Sequence, residues 1–296
     1  MDVIGIGALN LDHLYSVNKL AKTGGHQWIK NVSESPGGSA ANTIVGLARI
    51  GFKTGFIGAL GNDSAGKIML SDFRKNSVNT SRVRILNGKT GSIIGFVDSV
   101  GERTMYVYPG VNDELGLNRE DIDYISKSKL LHMSSFVNEK QFKIQKNLVK
   151  KIPEKIKVGF SPSDLYAKKG LDALKSILKK CYVIFLNESE IKTLTDQNYT
   201  RGSKTLLDYG VKIIAVTLGE KGCYIRTKDA CCRINAIKTK VVDTTGAGDV
   251  FSAGFLAGLL KNKSLEDCGI LGNKMASLCV RKFGARTWLS ELVLKG

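Results

Sequence analysis

An α/β fold is expected from this sequence: a Rossmann-like α/β/α sandwich with a mainly parallel sheet, joined to a small separate β-sheet. Three observations predict it. From residue 110 onward, short apolar runs rich in β-branched residues alternate with amphipathic runs at helical spacing. Two stretches, 14–32 and 92–108, interrupt that alternation with β-formers and turn residues. Near the C-terminus, Gly246-Ala247-Gly248 opens a long apolar run at helical spacing.

At 296 residues the chain can bury a sizeable core in one large domain or two smaller ones. No run of about 18 apolar residues occurs, so no membrane span is expected. Met1–Gly5 lacks the basic region and long apolar core of a signal peptide, and reads as a first strand. The six cysteines form no C-x-x-C pair, which points to reduced thiols and a cytoplasmic protein. His13, His26 and His132 are too widely spread to suggest a metal cluster, although the polar neighbours of His13 keep it open. The net charge of +17 raises nucleic-acid binding, but the lysines are scattered and lack interleaved aromatics. A solvated surface that attracts anionic nucleotides is expected instead.

Taken in order, Val3–Gly7 is an apolar strand. Asn10, Asp12 and His13 follow it, either as an Asx turn or where open α/β sheets bind ligands. Residues 14–32 alternate weakly around Gly24-Gly25. Ile93–Val97 and Thr104–Val107 flank a turn at 99–102. Gly37-Gly38-Ser39 precedes an apolar helical run. The pair is either a plain helix entry or a place where backbone approaches a ligand, with Asn42 able to donate and accept toward vicinal hydroxyls. Gly61–Lys67, after the strand 54–59, fits seven positions of the P-loop pattern. Ile68 replaces the Ser/Thr that would hold magnesium, so a strand-to-helix turn is expected rather than a phosphate loop.

The second half gives a polar turn at 112–114, a helix at 119–126 and a strand at 129–133. A basic helix at 140–151 and strands at 156–160 and 182–186 follow. Asn187 and Glu190 have the spacing of a capping box, which predicts the same residues as a site would. After a strand at 212–216, Thr217–Gly222 fits the turn before a hairpin of strands at 223–227 and 231–234. Val241-Val242 reads as a strand end. The glycine turn beyond it leaves N–H groups unpaired at the positive end of a helix, which is an anion site. Asp249 lies in that same first turn. An Asp there commonly offsets the dipole, but beside an anion cradle it also suits phosphoryl transfer. A last helix spans 265–282.

Asp243-Thr244-Thr245-Gly246-Ala247-Gly248-Asp249 resembles the C-terminal signature of the ribokinase-like (PfkB-type) sugar and nucleoside kinases. Four further motifs stand in family order: G-x-x-N-x-D at 7–12, G-G-x-x-x-N at 37–42, N-x-x-E at 187–190 and T-x-G-x-x-G at 217–222. The resemblance implies the ribokinase-like fold, with a core of 1–13, 33–91 and 109–296. It implies a β lid of 14–32 and 92–108 that often joins two copies into a homodimer. It makes Asp249 the base, with N–H groups of Gly246, Ala247 and Gly248 on the transferring phosphoryl. Asn10, Asp12, Gly37, Gly38 and Asn42 would hold the acceptor, with Arg103 and Tyr106 either facing it from the lid or standing at solvated lid positions. Asn187, Thr217, Gly219, Gly222, Gly246, Gly248 and Asn273 would border the nucleotide. Asn187 and Glu190 would organise Mg²⁺ through water, and Asp243, Thr245 and Ala285 a potassium ion.

The activity implied is Mg-dependent transfer from ATP to a sugar hydroxyl. The alternatives are nucleoside 5′-phosphorylation, ADP as donor, and a non-catalytic sugar or nucleotide sensor. Ser39 stands where ribokinase has a lysine, and His132–Phe136 lacks its sugar-binding glutamate. Both departures weaken ribose as acceptor. Small side chains there leave room for a nucleoside base, on which Phe136 would stack. The expected partners are ATP and a sugar or nucleoside, without nucleic acid or membrane.

Overall fold

The computed structural model describes residues 1–99 and 103–287. Strand β1 (Val3–Ile6) is wholly buried and leads to β2 (Asn10–Val17) and β3 (Ile29–Gly37). Helix α1 (Ser39–Arg49), strand β4 (Thr54–Gly61), helix α2 (Ser64–Lys75) and strand β5 (Asn79–Leu86) follow. Strands β6 (Gly91–Val97) and β7 (Arg103–Tyr108) complete this half. The alternation then becomes regular with α3 (Arg119–Ser126), β8 (Leu130–Ser134), α4 (Glu139–Lys151) and β9 (Lys157–Ser161). Helices α5 (Ser163–Ala167) and α6 (Gly170–Lys180) precede β10 (Val183–Asn187). Helices α7 (Glu188–Thr195) and α8 (Tyr199–Asp208) precede β11 (Ile213–Thr217). The hairpin β12 (Cys223–Arg226) and β13 (Cys231–Ile234) leads to α9 (Ala247–Leu260) and α10 (Leu265–Cys279).

A nine-stranded sheet runs β13-β12-β11-β10-β9-β8-β1-β4-β5, parallel except at the hairpin edge. Its inner strands are apolar throughout because both faces are covered. On one face α1, α9 and α10 pack together through Val45, Phe251, Phe255 and Met275. On the other, Phe142, Leu174, Ile177, Ile191 and Leu206 come from α4, α6, α7 and α8. Helix α9 is apolar all round, with every residue from Val250 to Gly258 buried. Burying Phe251 and Phe255 contributes roughly 1.5–3 kcal/mol each, and this fixes where the N-terminus of α9 begins.

The smaller sheet has the order β3-β2-β6-β7. Pairing Asp12 with Ser35 and Ile93, and Ile93 with Val107, puts those four residues on one face. Tyr106 pairs with Ile94 and so lies on the opposite face from Asp12, mostly exposed. Of its two expected positions it takes the solvated one. Two expectations need correction. Residues 10–13 follow the end of β1 but do not form a turn, because β2 starts at Asn10 and carries the chain into the smaller sheet. The polar turn at 112–114 forms within a single helical turn at 110–114, and its Asn112 is a buried staple: Asn112 accepts from Leu9 N–H (2.9 Å) and donates to the carbonyls of Leu9 (3.0 Å) and Pro109 (2.9 Å). Val241 and Val242 are exposed and outside any strand, since the sheet already ends at β13. The Val242 N–H instead bonds to the Val280 carbonyl at 2.7 Å.

Candidate active site

The N-terminus of α9 carries no side-chain cap, and Gly246 before it sits at φ 77°, a left-handed conformation that glycine adopts without strain. Ala247 N–H is satisfied by the Thr244 carbonyl at 3.1 Å. The N–H groups of Gly248 and Asp249 belong to the first turn, which has no intrahelical acceptor for them. A Cβ placed on Gly248 would meet nothing within 4 Å. The helix end opens into a cavity of about 830 Å³ lined by Asn187, Glu190, Thr217, Gly219 and Asp249. A second cavity of about 700 Å³ shares Thr217, Gly219 and Gly248 and extends past Gly222 and Ala247 to Asn273. Residues expected to border the nucleotide thus come from four separate places in the chain, around 187, 217–222, 248 and 273, to two cavities that share part of their lining.

Asp249 stands half-buried at the inner end of this cleft. Its Oδ1 accepts from Ser39 Oγ at 2.6 Å and its Oδ2 from Asn42 Nδ2 at 2.8 Å, both from α1. Thr43 Oγ1 donates to its backbone carbonyl at 3.0 Å. Burial pushes the carboxyl up to about 6, against the lowering effect of Ser39, Asn42 and the Arg286 charge. Asp12 approaches from β2, and its Oδ1 is buried with no hydrogen-bond partner in the protein. Burial raises it to about 7, with Arg286 opposing and Asp249 adding to the rise. Gly37 permits this approach, since a Cβ there would lie 2.2 Å from Asp12 Oδ2. Gly38, at φ 100°, would place a Cβ 2.2 Å from the Ala8 carbonyl. Asn10 is buried, and its Oδ1 accepts from Asn112 at 3.1 Å. Arg103 pairs with Val97 in β7, and its side chain lies outside the described part of the structure.

Asn187 and Glu190 form a complete capping box: Asn187 Oδ1 accepts from Glu190 N–H and Glu190 Oε2 from Asn187 N–H, both at 2.8 Å. Both residues still line the cleft. Burial raises the Glu190 carboxyl above its ordinary value, despite the Asn187 bond, and the charges of Asp249 and Asp164 raise it further. Asp243 staples its own loop, accepting from Thr245 N–H (2.9 Å), Thr245 Oγ1 (2.7 Å) and Gly284 N–H (2.8 Å). Ala285 packs against Gly246, where a Cβ would come within 2.5 Å of the Ala285 methyl. Asn273 donates to the carbonyls of Ile234 (3.3 Å) and Asn235 (3.0 Å), so its amide holds the cleft wall. Phe136, expected to stack on a base, is core: it packs with Ala59, Val111 and Leu115.

Sequence reading missed Arg286. It is buried, yet its Nε donates to Asn42 Oδ1 at 2.9 Å and it pairs with Asp72. No local signal marks it, because its partners are more than 200 positions away.

Residues 2–292 match the model of the pfkB family carbohydrate kinases. The chain belongs to that family. An uncharacterized sugar kinase of Archaeoglobus fulgidus is 39% identical over 249 residues, covering 84% of this chain and all of the relative. The ribokinase of Thermotoga maritima superposes with a TM-score of 0.84 at 26% identity, covering 97% of this chain and 95% of that one. A nucleoside kinase of Methanocaldococcus jannaschii, an archaeal member of the ribokinase family, gives 0.81 at 25% identity, covering 98% and 97%. The pfkB kinase described here is therefore a phosphotransferase with an alcohol group as acceptor, and its fold is ribokinase-like. It is a sugar or nucleoside kinase of that family.

Proposed function

We propose that the protein transfers the γ-phosphoryl group of ATP to a primary hydroxyl of a sugar. The observation that carries this is the shared first turn of α9, where a carboxylate tuned to about 6 stands beside N–H groups open to the cleft. Asp249 accepts the hydroxyl proton as that oxygen attacks, and its carboxylate keeps lone pairs beyond those used by Ser39 and Asn42. N–H groups of Gly246 and Gly248 hold charge on the transferring phosphoryl, while that of Ala247 is already taken by the Thr244 carbonyl. Asp12, with its unpartnered oxygen, takes acceptor hydroxyls together with Gly38 and Asn42. A bound Mg²⁺ would neutralise phosphate charge. Burial raises Glu190, with the charges of Asp249 and Asp164 adding to it, and this group of carboxylates at the cleft fits a cation held through water by Asn187 and Glu190. The three hydrogen bonds at Asp243 go to its carboxylate, whereas a potassium ion would be held by backbone oxygens around Asp243, Thr245 and Ala285; no step is assigned to that ion.

A sugar is favoured over a nucleoside because Phe136 is locked in the core and leaves no aromatic platform at that position. The smaller sheet would close over the acceptor and exclude water. Its opposite face, with Val32, Ile94, Tyr106 and Tyr108 exposed, would join a second copy. The test is a coupled ADP-release assay with Mg-ATP against sugars, sugar phosphates and nucleosides, repeated with Asp249→Asn. Turnover of a sugar that the variant abolishes is expected. A preference for nucleosides, or nucleotide binding without turnover of any acceptor, would overturn the proposal.

A further inference from the structure

The chain beyond α10 returns to the site, and residues 284–286 touch both of its halves. On the phosphoryl side, Gly284 N–H donates to Asp243 Oδ2 at 2.8 Å and Ala285 packs on Gly246. On the acceptor side, the Arg286 guanidinium is gripped on every edge. Nε donates to Asn42 Oδ1 at 2.9 Å, Nη2 to the Gly37 carbonyl at 3.3 Å, and Nη1 to Asp72 on α2. Its plane also lies over the Phe73 ring, with Cζ 5.8 Å from the centroid.

The bond to Asn42 Oδ1 has a specific consequence. An amide presents an acceptor at one end and donors at the other. With Oδ1 committed to Arg286, Asn42 must turn Nδ2 toward Asp249, where it donates at 2.8 Å. Without that commitment the amide is free to flip and present an oxygen to a carboxylate. Asp72, Arg286, Asn42 and Asp249 thus form one chain across three elements and the C-terminal segment.

Resting on the kinase assignment above, we propose that Arg286 is a positioning residue: it fixes the Asn42 amide and the Gly37-Gly38 turn, so that Asp249 is held by the Asn42 Nδ2 with a buried guanidinium behind it. Its charge is buried, which pulls its own pKa down, while Asp72 foremost and then Asp12 and Asp249 hold it up. Guanidinium stays protonated under these conditions. Around Asp249 the other titratable groups are Asp12 from β2, Glu190 from α7 and Cys279 from α10, whose thiol burial pushes up to about 12. None of these supplies a cation, so among the described neighbours of Asp249 the stabilising charge comes from Arg286.

Two variants separate charge from geometry. Arg286→Lys keeps the charge but loses the planar fork. It should lower kcat about tenfold, with the acidic limb of kcat/KM near its wild-type position. Arg286→Met combined with Asp72→Asn removes the buried pair without stranding either partner. It should move that limb up by about one pH unit, and the ¹³C titration of the Asp249 carboxyl, assigned with Asp249→Asn, should move with it. Should the double variant fail to fold, the Lys variant decides alone by its kcat. Wild-type kcat in Arg286→Lys would overturn the proposal. So would an unmoved Asp249 titration in the folded double variant, because a merely structural arginine leaves that titration in place. A wild-type protein that turns over no acceptor would refute the kinase mechanism instead, while the carboxyl titration would still decide the part played by Arg286.

Discussion

Two glycine-bearing turns in this molecule lead into a helix, one at Gly61–Gly66 and one at Thr244–Asp249, and they are built to opposite ends. At the first, the helix N-terminus is stoppered from within. Asp63 Oδ1 accepts from Gly66 N–H (2.9 Å) and Thr90 Oγ1 (2.7 Å), and its Oδ2 from Thr90 N–H (3.0 Å). A Cβ on Gly66 would meet the Gly61 carbonyl at 2.2 Å. At the second, no side chain caps the helix and a Cβ on Gly248 meets nothing. The glycine pattern is nearer to a P-loop at the first turn than at the second. What separates an anion site from a structural turn is whether the protein's own carboxylate already occupies the helix end.

The largest expected effect comes from breaking the open turn. Asp249→Asn should lower kcat by about 10²–10⁴-fold with little change in nucleotide affinity, read by steady-state kinetics and nucleotide titration. The same change sharpens the contrast in stability. Because the Asp249 pKa is raised when folded, its favourable contribution to folding is complete below its ordinary value of 3.8 and is lost as pH rises through about 6. The Asn variant should therefore melt above wild type at pH 8, with the gain gone by about pH 4.

Next in size, wild-type kcat/KM should fall as pH drops through about 6, since the base must be unprotonated. A pH–rate profile flat to pH 5 would remove Asp249 from that role. At the closed turn, effects should appear in stability alone. Asp63→Ala should cost about 1–2 kcal/mol by chemical denaturation, while KM for ATP stays unchanged. Burial works against the Asp63 charge, but the Thr90 and Gly66 bonds and Lys89 hold its pKa below the ordinary value of 3.8. Its contribution is thus present at neutral pH and lost only as pH falls below that value.

Much of this was legible in the sequence, and the physical reasons differ by region. Helix α7 announces itself through the capping box of Asn187 with Glu190, whereas the Asn118–Asp121 box of α3 emerges only in the structure. Helix α9 does so through its uninterrupted apolar run. Ile68 correctly ruled out the P-loop, yet the Asp63–Thr90 stopper that explains the exclusion joins residues 27 apart. Arg286 was illegible because its meaning lies in Asn42, 244 residues away. Val241 and Val242 misled because β-branched residues favour strands only where a sheet edge receives them.

The most direct measurement is thermal melting of Gly66→Ala and Gly248→Ala, each with and without Mg-ATP. Gly66→Ala should melt below wild type, by the equivalent of about 1–3 kcal/mol, and keep the full nucleotide-induced rise. Gly248→Ala should melt at or above wild type and lose most of that rise, because its methyl group stands in the open cleft rather than against the protein. The reverse pattern, with Gly248→Ala keeping the rise and Gly66→Ala losing it, would contradict the assignment of the phosphoryl site to α9.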